Sequence, residues 1–182
     1  MRKQYYDFLL REYQQVHAID FSPLVRSYTD AAFKGEWRSM MNHILKAYHD
    51  TTAVRSLIEG ERNLQGFMNA YLSLNPYYLT APEVELNHGY CDFFLMPDLT
   101  RWPMVKHSYI LELKYLPQSA TKEKAEAQWT EAVEQIKAYA QGEKVKSLIQ
   151  GTTLHPIVVQ IKGYEAIRVE EISMDLLSLC RK

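Results

Sequence analysis

The chain has 182 residues, 47% of them hydrophobic and 24% charged, with a formal net charge of −1. A chain of that length defaults to one domain with a substantial core, and its near-zero charge excludes a globally basic polyanion binder. No apolar run approaches the roughly 18 residues of a membrane span, and the opening "MRKQYYDFLLREYQQ" lacks the apolar segment of a secretory signal. Cys91 and Cys180 lie far apart without ligand spacing, which fits reduced thiols in a cytoplasmic protein.

In chain order, the first seventy-odd residues read as helical. "RKQYYDFLLREYQQVH" carries apolar residues at mixed three and four spacing. In "FSPLVRSY", Ser22 stands as an N-cap and Pro23 at the first helical position. "WRSMMNHILKAYHD" extends the helical part. A further helix, capped by Thr51 or Thr52, continues to about Leu74 and stops at Asn75 and Pro76. On it Val54, Leu57, Ile58, Leu64, Met68 and Leu72 form an apolar stripe, with Glu61 in the middle. A carboxylate on an inward helix face needs a partner or a function; the plain partner is an arginine such as Arg55.

The pattern then changes. "YYLTAPEVELN" and "GYCDFFLMP" read as two strands around a turn at "NHG", residues 87–89. "DLTRWPMVKHS" is a loop, and "YILELKYL", residues 109–116, is a third strand. "SATKEKAEAQWTEAVEQIKAYAQG" is a helix ended by Gly142, and "HPIVVQIKG" and "EAIRVEEI" are two further strands. The order of helices, three strands, helix, two strands predicts an α/β sheet sandwiched by helices.

Several charges fall where burial is expected. Alternation puts Tyr90, Asp92 and Phe94 on one face of their strand and Cys91, Phe93 and Leu95 on the other. Glu112 and Lys114 are two apart and share a face. Their apolar flanks mark a central strand, where two desolvated charges need further partners. An ion pair on a sheet edge is the plain alternative. Asp92 on a neighbouring strand would set two carboxylates face to face, and like charges repel unless a cation lies between them. Such oxygen ligands suit Mg²⁺ or Mn²⁺. Gln135 and Tyr139 in "QIKAY" are stacked one turn apart beside the stripe of Ala125, Trp129, Ala132 and Ile136, a common arrangement at a core boundary. His17, His43, His49, His88, His107 and His155 show no ligand spacing and read as surface residues. The chain has no GxxxxGK[ST] phosphate loop, nucleophile elbow or dinucleotide glycine fingerprint.

Glu61 on a helix, Asp92 on a strand, "ELK" on the next strand and "QIKAY" on the following helix form an ordered set. The set resembles the PD-(D/E)XK nuclease superfamily, whose restriction-endonuclease-like core runs αβββαβ around a mixed sheet. "EGERNLQGF", "GYCDFFLMPD", "YILELKYL" and "EAVEQIKAYA" are similar to the nuclease-like domain that follows an AAA-ATPase-like domain in many bacterial proteins. The resemblance implies an N-terminal helical extension over residues 1–50 and a nuclease-like domain over residues 51–182. It is compatible with a piece of a longer polypeptide whose first fifty residues are a connecting region.

The resemblance further implies a metal-dependent nuclease that hydrolyses phosphodiester bonds of DNA. The alternative is a catalytically silent domain that binds nucleic acid or regulates a fused or partner ATPase. A third reading has the aromatic-rich helical half dock a protein partner. In the nuclease reading Asp92 and Glu112 would bind Mg²⁺ or Mn²⁺, with the Leu113 carbonyl as a further ligand. Glu61 would anchor the metal through water or help hold a second one. Lys114 would orient and help deprotonate the attacking water and stabilise charge on the phosphate. Gln135 and Tyr139 would steady Lys114 or contact the phosphate. Cys91 departs from the proline the family name carries before its aspartate, and "PDLTRWPMVKHS" is expected as an elaboration near the site.

Overall fold

The three expected layers of this chain come from simple periodicities, and the computed structural model describes residues 22–53, 60–86 and 89–174. The helical reading of residues 2–17, the stripe positions Val54, Leu57 and Ile58, and Cys180 fall outside those residues. Helix α1 (Ser22–Lys34) has Pro23 in its first turn, where a missing N–H costs nothing. Helix α2 (Trp37–Ala53) runs on through Thr51 and Thr52, so neither threonine caps the next helix as the sequence suggested. Helical continuity from a strongly buried stripe (Met40, Met41, Ile44, Tyr48) overrides the weak capping preference of threonine. Helix α3 (Glu61–Leu72) begins only after Gly60 and buries Leu64, Met68 and Leu72 at spacing four. Each such side chain stabilises the fold by about 1.5–3 kcal/mol.

Strands β1 (Tyr78–Leu86), β2 (Gly89–Pro97) and β3 (His107–Leu116) follow, then helices α4 (Lys122–Ala140) and α5 (Glu143–Leu148), then β4 (Thr153–Lys162) and β5 (Glu165–Glu171). The five strands lie in the order β1-β2-β3-β4-β5. Neighbours are antiparallel except β3 and β4, which run parallel and are joined through α4, as a crossover requires. Strand β3 is central and buried from Ser108 to Leu113. The core has two layers. Helices α1, α2 and α3 pack on Phe93, Leu95, Leu111, Leu113 and Val159, whereas Trp129, Ala132 and Ile136 of α4 pack with Cys91, Phe94, Ile110 and Val158. Helix α4 is capped by Thr121, whose side chain accepts the Lys124 N–H. No helix among the described residues is long and apolar enough to cross a membrane.

Two expectations about β2 change. Phe93 and Leu95 do share a layer, but Cys91 joins Phe94 on the other, so the pleat skips a step at Asp92. The ladders break there too. Strand β1 pairs Pro82 with Phe93 and Val84 with Cys91, without a pairing between Glu83 and Asp92, and the β2–β3 ladder spans only Phe93–Leu111 to Leu95–Tyr109. Glu83 has a φ of 50°, a left-handed conformation that costs a non-glycine residue about 1–3 kcal/mol. Register is the same on both sides of the kink. Secondly, the 98–106 loop lies away from the acids. It leaves β2 at Pro97 and enters β3 at His107, five residues along each strand from Asp92 and Glu112. There the Trp102 indole donates to the Pro76 carbonyl at 2.9 Å and sets its ring edge-on to Tyr77.

Two of the histidines, expected at the surface, are half-buried and linked. His107 Nδ1 lies 2.8 Å from His155 Nε2, and His155 Nδ1 lies 2.7 Å from Glu171 Oε1. Trp37 Nε1 donates to Glu171 Oε2 at 2.7 Å, and the Tyr109 ring stacks on His155. The parallel register sets Tyr109 beside His155, and the resulting chain of contacts ties α2 to β5 at the sheet end opposite the acids.

Candidate active site

The kink in β2 aims Asp92 at the gap where the β2–β3 ladder stops. Its Oδ2 accepts the Leu113 N–H at 2.7 Å, and its Oδ1 accepts a hydrogen bond from Gln65 Nε2 at 2.7 Å. Gln65 was not singled out from sequence. Its only signal is its place one turn after Glu61, on the flank of the buried stripe of α3.

On β3, Glu112 and Lys114 share a face as their spacing requires, with Lys114 Nζ 2.9 Å from Glu112 Oε1. The same ammonium donates to Gln135 Oε1 at 2.9 Å, so α4 fixes the lysine from above. Glu112 is 3% exposed, and its Oε2 is buried without a hydrogen-bond partner among the described residues. Tyr139, one turn beyond Gln135, is buried with its ring over Gly89, where any Cβ would come within 3 Å of it. Burial raises its pKa, and the charges of Glu112, Cys91 and Asp92 add to the rise, which places the phenol near the acids.

The electrostatics of the acids are unfavourable as they stand. Burial pushes the Glu112 carboxyl up to about 7, and the neighbouring Asp92 charge adds to this against the Lys114 hydrogen bond. Burial also raises Asp92, despite the stabilising Leu113 N–H and Gln65 amide. For Lys114 burial works against the charge, but the Glu112 hydrogen bond and the Glu112 and Asp92 charges outweigh it and raise the pKa. The lysine is therefore held as a cation at neutral pH.

Glu61 stands differently from expectation. It is exposed, at the first residue of α3, rather than in the middle of an inward stripe. Among the described residues the stripe is buried at Leu64, Met68 and Leu72, and an acid in the first turn of the helix is favoured by the helix dipole. Its charge still reaches Glu112 as the smallest of the influences that raise that carboxyl. Among the described residues no group of three or more His, Cys, Asp or Glu side chains is gathered as a metal centre. The buried Glu112 carboxylate, with one oxygen unpartnered among the described residues, and the half-buried Asp92 nevertheless fit a hard divalent cation that keeps most of its waters.

A family model for the PD-(D/E)XK nuclease superfamily matches residues 59–171, well over half of the chain. The chain belongs to that superfamily. The match takes in Glu61, Asp92, Glu112, Lys114, Gln135 and Tyr139 and ends with β5. No curated protein and no solved structure matches the chain. The mixed five-stranded sheet with flanking helices is consistent with a restriction-endonuclease-like fold. Membership in the superfamily suggests a nuclease, and PD-(D/E)XK nucleases generally use divalent metals.

Proposed function

We propose that the chain is a metal-dependent nuclease that hydrolyses phosphodiester bonds, with DNA as its substrate. The observation that carries this is the Glu112 carboxylate: buried, bound to Lys114 through one oxygen, unpartnered at the other among the described residues, and within the field of the Asp92 charge. A divalent cation between the two acids relieves both their desolvation and their repulsion. Asp92, Glu112 and the Leu113 carbonyl would hold Mg²⁺ or Mn²⁺, and Glu61 would reach the ion from the rim through water. When bound, such an ion lowers the pKa of a water and neutralises charge on the phosphate.

The chain's own residues supply the rest. Gln65 holds Asp92 in orientation, and Gln135 holds Lys114. Lys114, charged at neutral pH, orients the attacking water and stabilises charge that builds on the phosphate oxygens. Tyr139 walls the site beside the acids. The same proposal takes residues 51–182 as the nuclease-like domain and residues 1–50 as a helical extension. An AAA-type ATPase domain, in this or another chain, is a proposed partner on sequence likeness alone. The buried free thiol of Cys91 supports a reducing, cytoplasmic setting.

The test is incubation with single-stranded DNA, duplex DNA and RNA in Mg²⁺, Mn²⁺ or EDTA. Cleavage is expected only with metal, and a loss of at least about a hundredfold in Asp92→Asn and Lys114→Ala. Nucleic-acid binding without cleavage, unchanged in both variants, would support the silent alternative instead.

A further inference from the structure

Beside Asp92 the surface opens into a groove of about 500 Å³ between α3 and the β1–β2 hairpin. Arg62, Gly66 and Asn69 of α3 line one wall, and Pro82 and Glu83 of β1 line the other. Gly66 is the informative residue. It lies inside a regular helix, it is exposed, and a Cβ built on it would meet nothing within 4 Å among the described residues. Glycine is among the least favourable residues in a helix interior, and here no neighbour and no unusual φ demands it. What its bare backbone does is keep the middle of that wall clear. The opposite wall is shaped by the left-handed Glu83, which faces Asp92 at the kink.

Charge narrows the occupant. Arg62 is the one cation among the described groove-lining residues, and the whole chain carries a net charge of −1. A duplex laid across a surface engages several phosphates, each through a Lys or Arg. One arginine in the groove fits one phosphate of one strand.

We propose that this groove carries a single unpaired nucleic-acid strand next to the scissile phosphate. The strand's backbone lies over Gly66, one phosphate sits on the Arg62 guanidinium, and the Asn69 amide reaches its sugar or base. Glu83 repels phosphates and turns the backbone toward the α3 wall. The proposal rests on the nuclease reading for the position of the scissile bond, and it adds the strandedness of the substrate.

Binding is read by fluorescence anisotropy of a labelled 12-nucleotide single strand and its duplex, in EDTA so that no cleavage competes. The unaltered protein is expected to bind the single strand at least tenfold more tightly than the duplex. Gly66→Phe should weaken single-strand binding at least tenfold. Arg62→Ala should weaken it several-fold and reduce the slope of log affinity on log salt by about 0.7. Melting temperatures check that the variants fold, and Gly66→Ala, with only a methyl in open space, serves if Gly66→Phe does not. That variant should melt higher than the unaltered chain and still bind more weakly. The proposal is overturned by absent single-strand binding, by a duplex bound equally well, or by folded Gly66 and Arg62 variants that bind within twofold of the unaltered chain. Hydrolysis of bis(4-nitrophenyl) phosphate by the unaltered chain with Mn²⁺ reports on the catalytic reading by itself. If that fails while groove variants still lose strand binding, catalysis is wrong and the groove stands.

Discussion

Glu112 sets the pH behaviour of the metal-free protein. Burial and the Asp92 charge lift its folded pKa from an ordinary 4.5 to about 7, so the folded state holds this proton more tightly than the unfolded chain does. The resulting penalty is absent below pH 4.5, grows as the pH climbs through the window to about 7, and is complete above it. In EDTA, urea unfolding should therefore show stability falling between pH 5 and pH 8, by on the order of 2 kcal/mol from this carboxyl. Glu112→Gln should remove most of that dependence while it abolishes cleavage. Added Mg²⁺ should restore stability at pH 8 to the unaltered chain and not to the variant. For Gln135→Ala, loss of the 2.9 Å bond that holds Lys114 should lower kcat about tenfold with little change in KM, measured on a cleaved oligonucleotide. The Glu112–Lys114 contact was legible from sequence because two residues on one strand must share a face. Gln65 was not, because its partner Asp92 is 27 residues away and no local pattern links them. Glu61 was misplaced because apolar spacing gives the face of a helix but not its first residue.

At the scale of elements, the kink shared by β1 and β2 is the feature that turns Asp92 toward Leu113 and Gln65. A β-branched residue resists a φ of 50°, whereas glycine adopts it freely. Glu83→Val should thus destabilise the fold by about 1–2 kcal/mol in urea unfolding and reduce cleavage more than Glu83→Gly does. The kink was invisible in the sequence for a specific reason. Cys91, Phe93, Phe94 and Leu95 are all apolar, so a skipped step leaves no trace in an alternating pattern. The five strands themselves were legible because turn residues and apolar runs bound them. Helix α3 carries a separate expectation: Gly66→Ala should stabilise it by about 1 kcal/mol, read as a higher melting temperature. Across the sheet, burial lowers the His107 pKa, and the His155 and Lys106 charges lower it further. Below about pH 6.5 the unfolded chain then binds this proton more readily, so the stability that the neutral imidazole contributes is lost as pH falls. Urea unfolding of the unaltered chain and of His107→Phe at pH 7 and pH 5 would report it, as a loss at pH 5 that is smaller in the variant.

For the whole molecule, the architecture followed from the order of elements, since strands joined through a helix pair in parallel and those joined by short turns do not. The opposition of two layers was likewise implied by apolar stripes on helices on both sides of the strand run. What sequence order did not convey was that the site spans both layers, with Gln65 reaching Asp92 from one and Gln135 reaching Lys114 from the other. The parallel β3–β4 pair has a consequence for synthesis. The lysine gains its clamp only after α4 has crossed over and β4 has slotted beside β3, some fifty residues after "ELK" leaves the ribosome. Until then the Lys114 ammonium has no partner on α4, so under the proposed reading a chain cut before β4 carries the candidate residues and is expected to hydrolyse nothing.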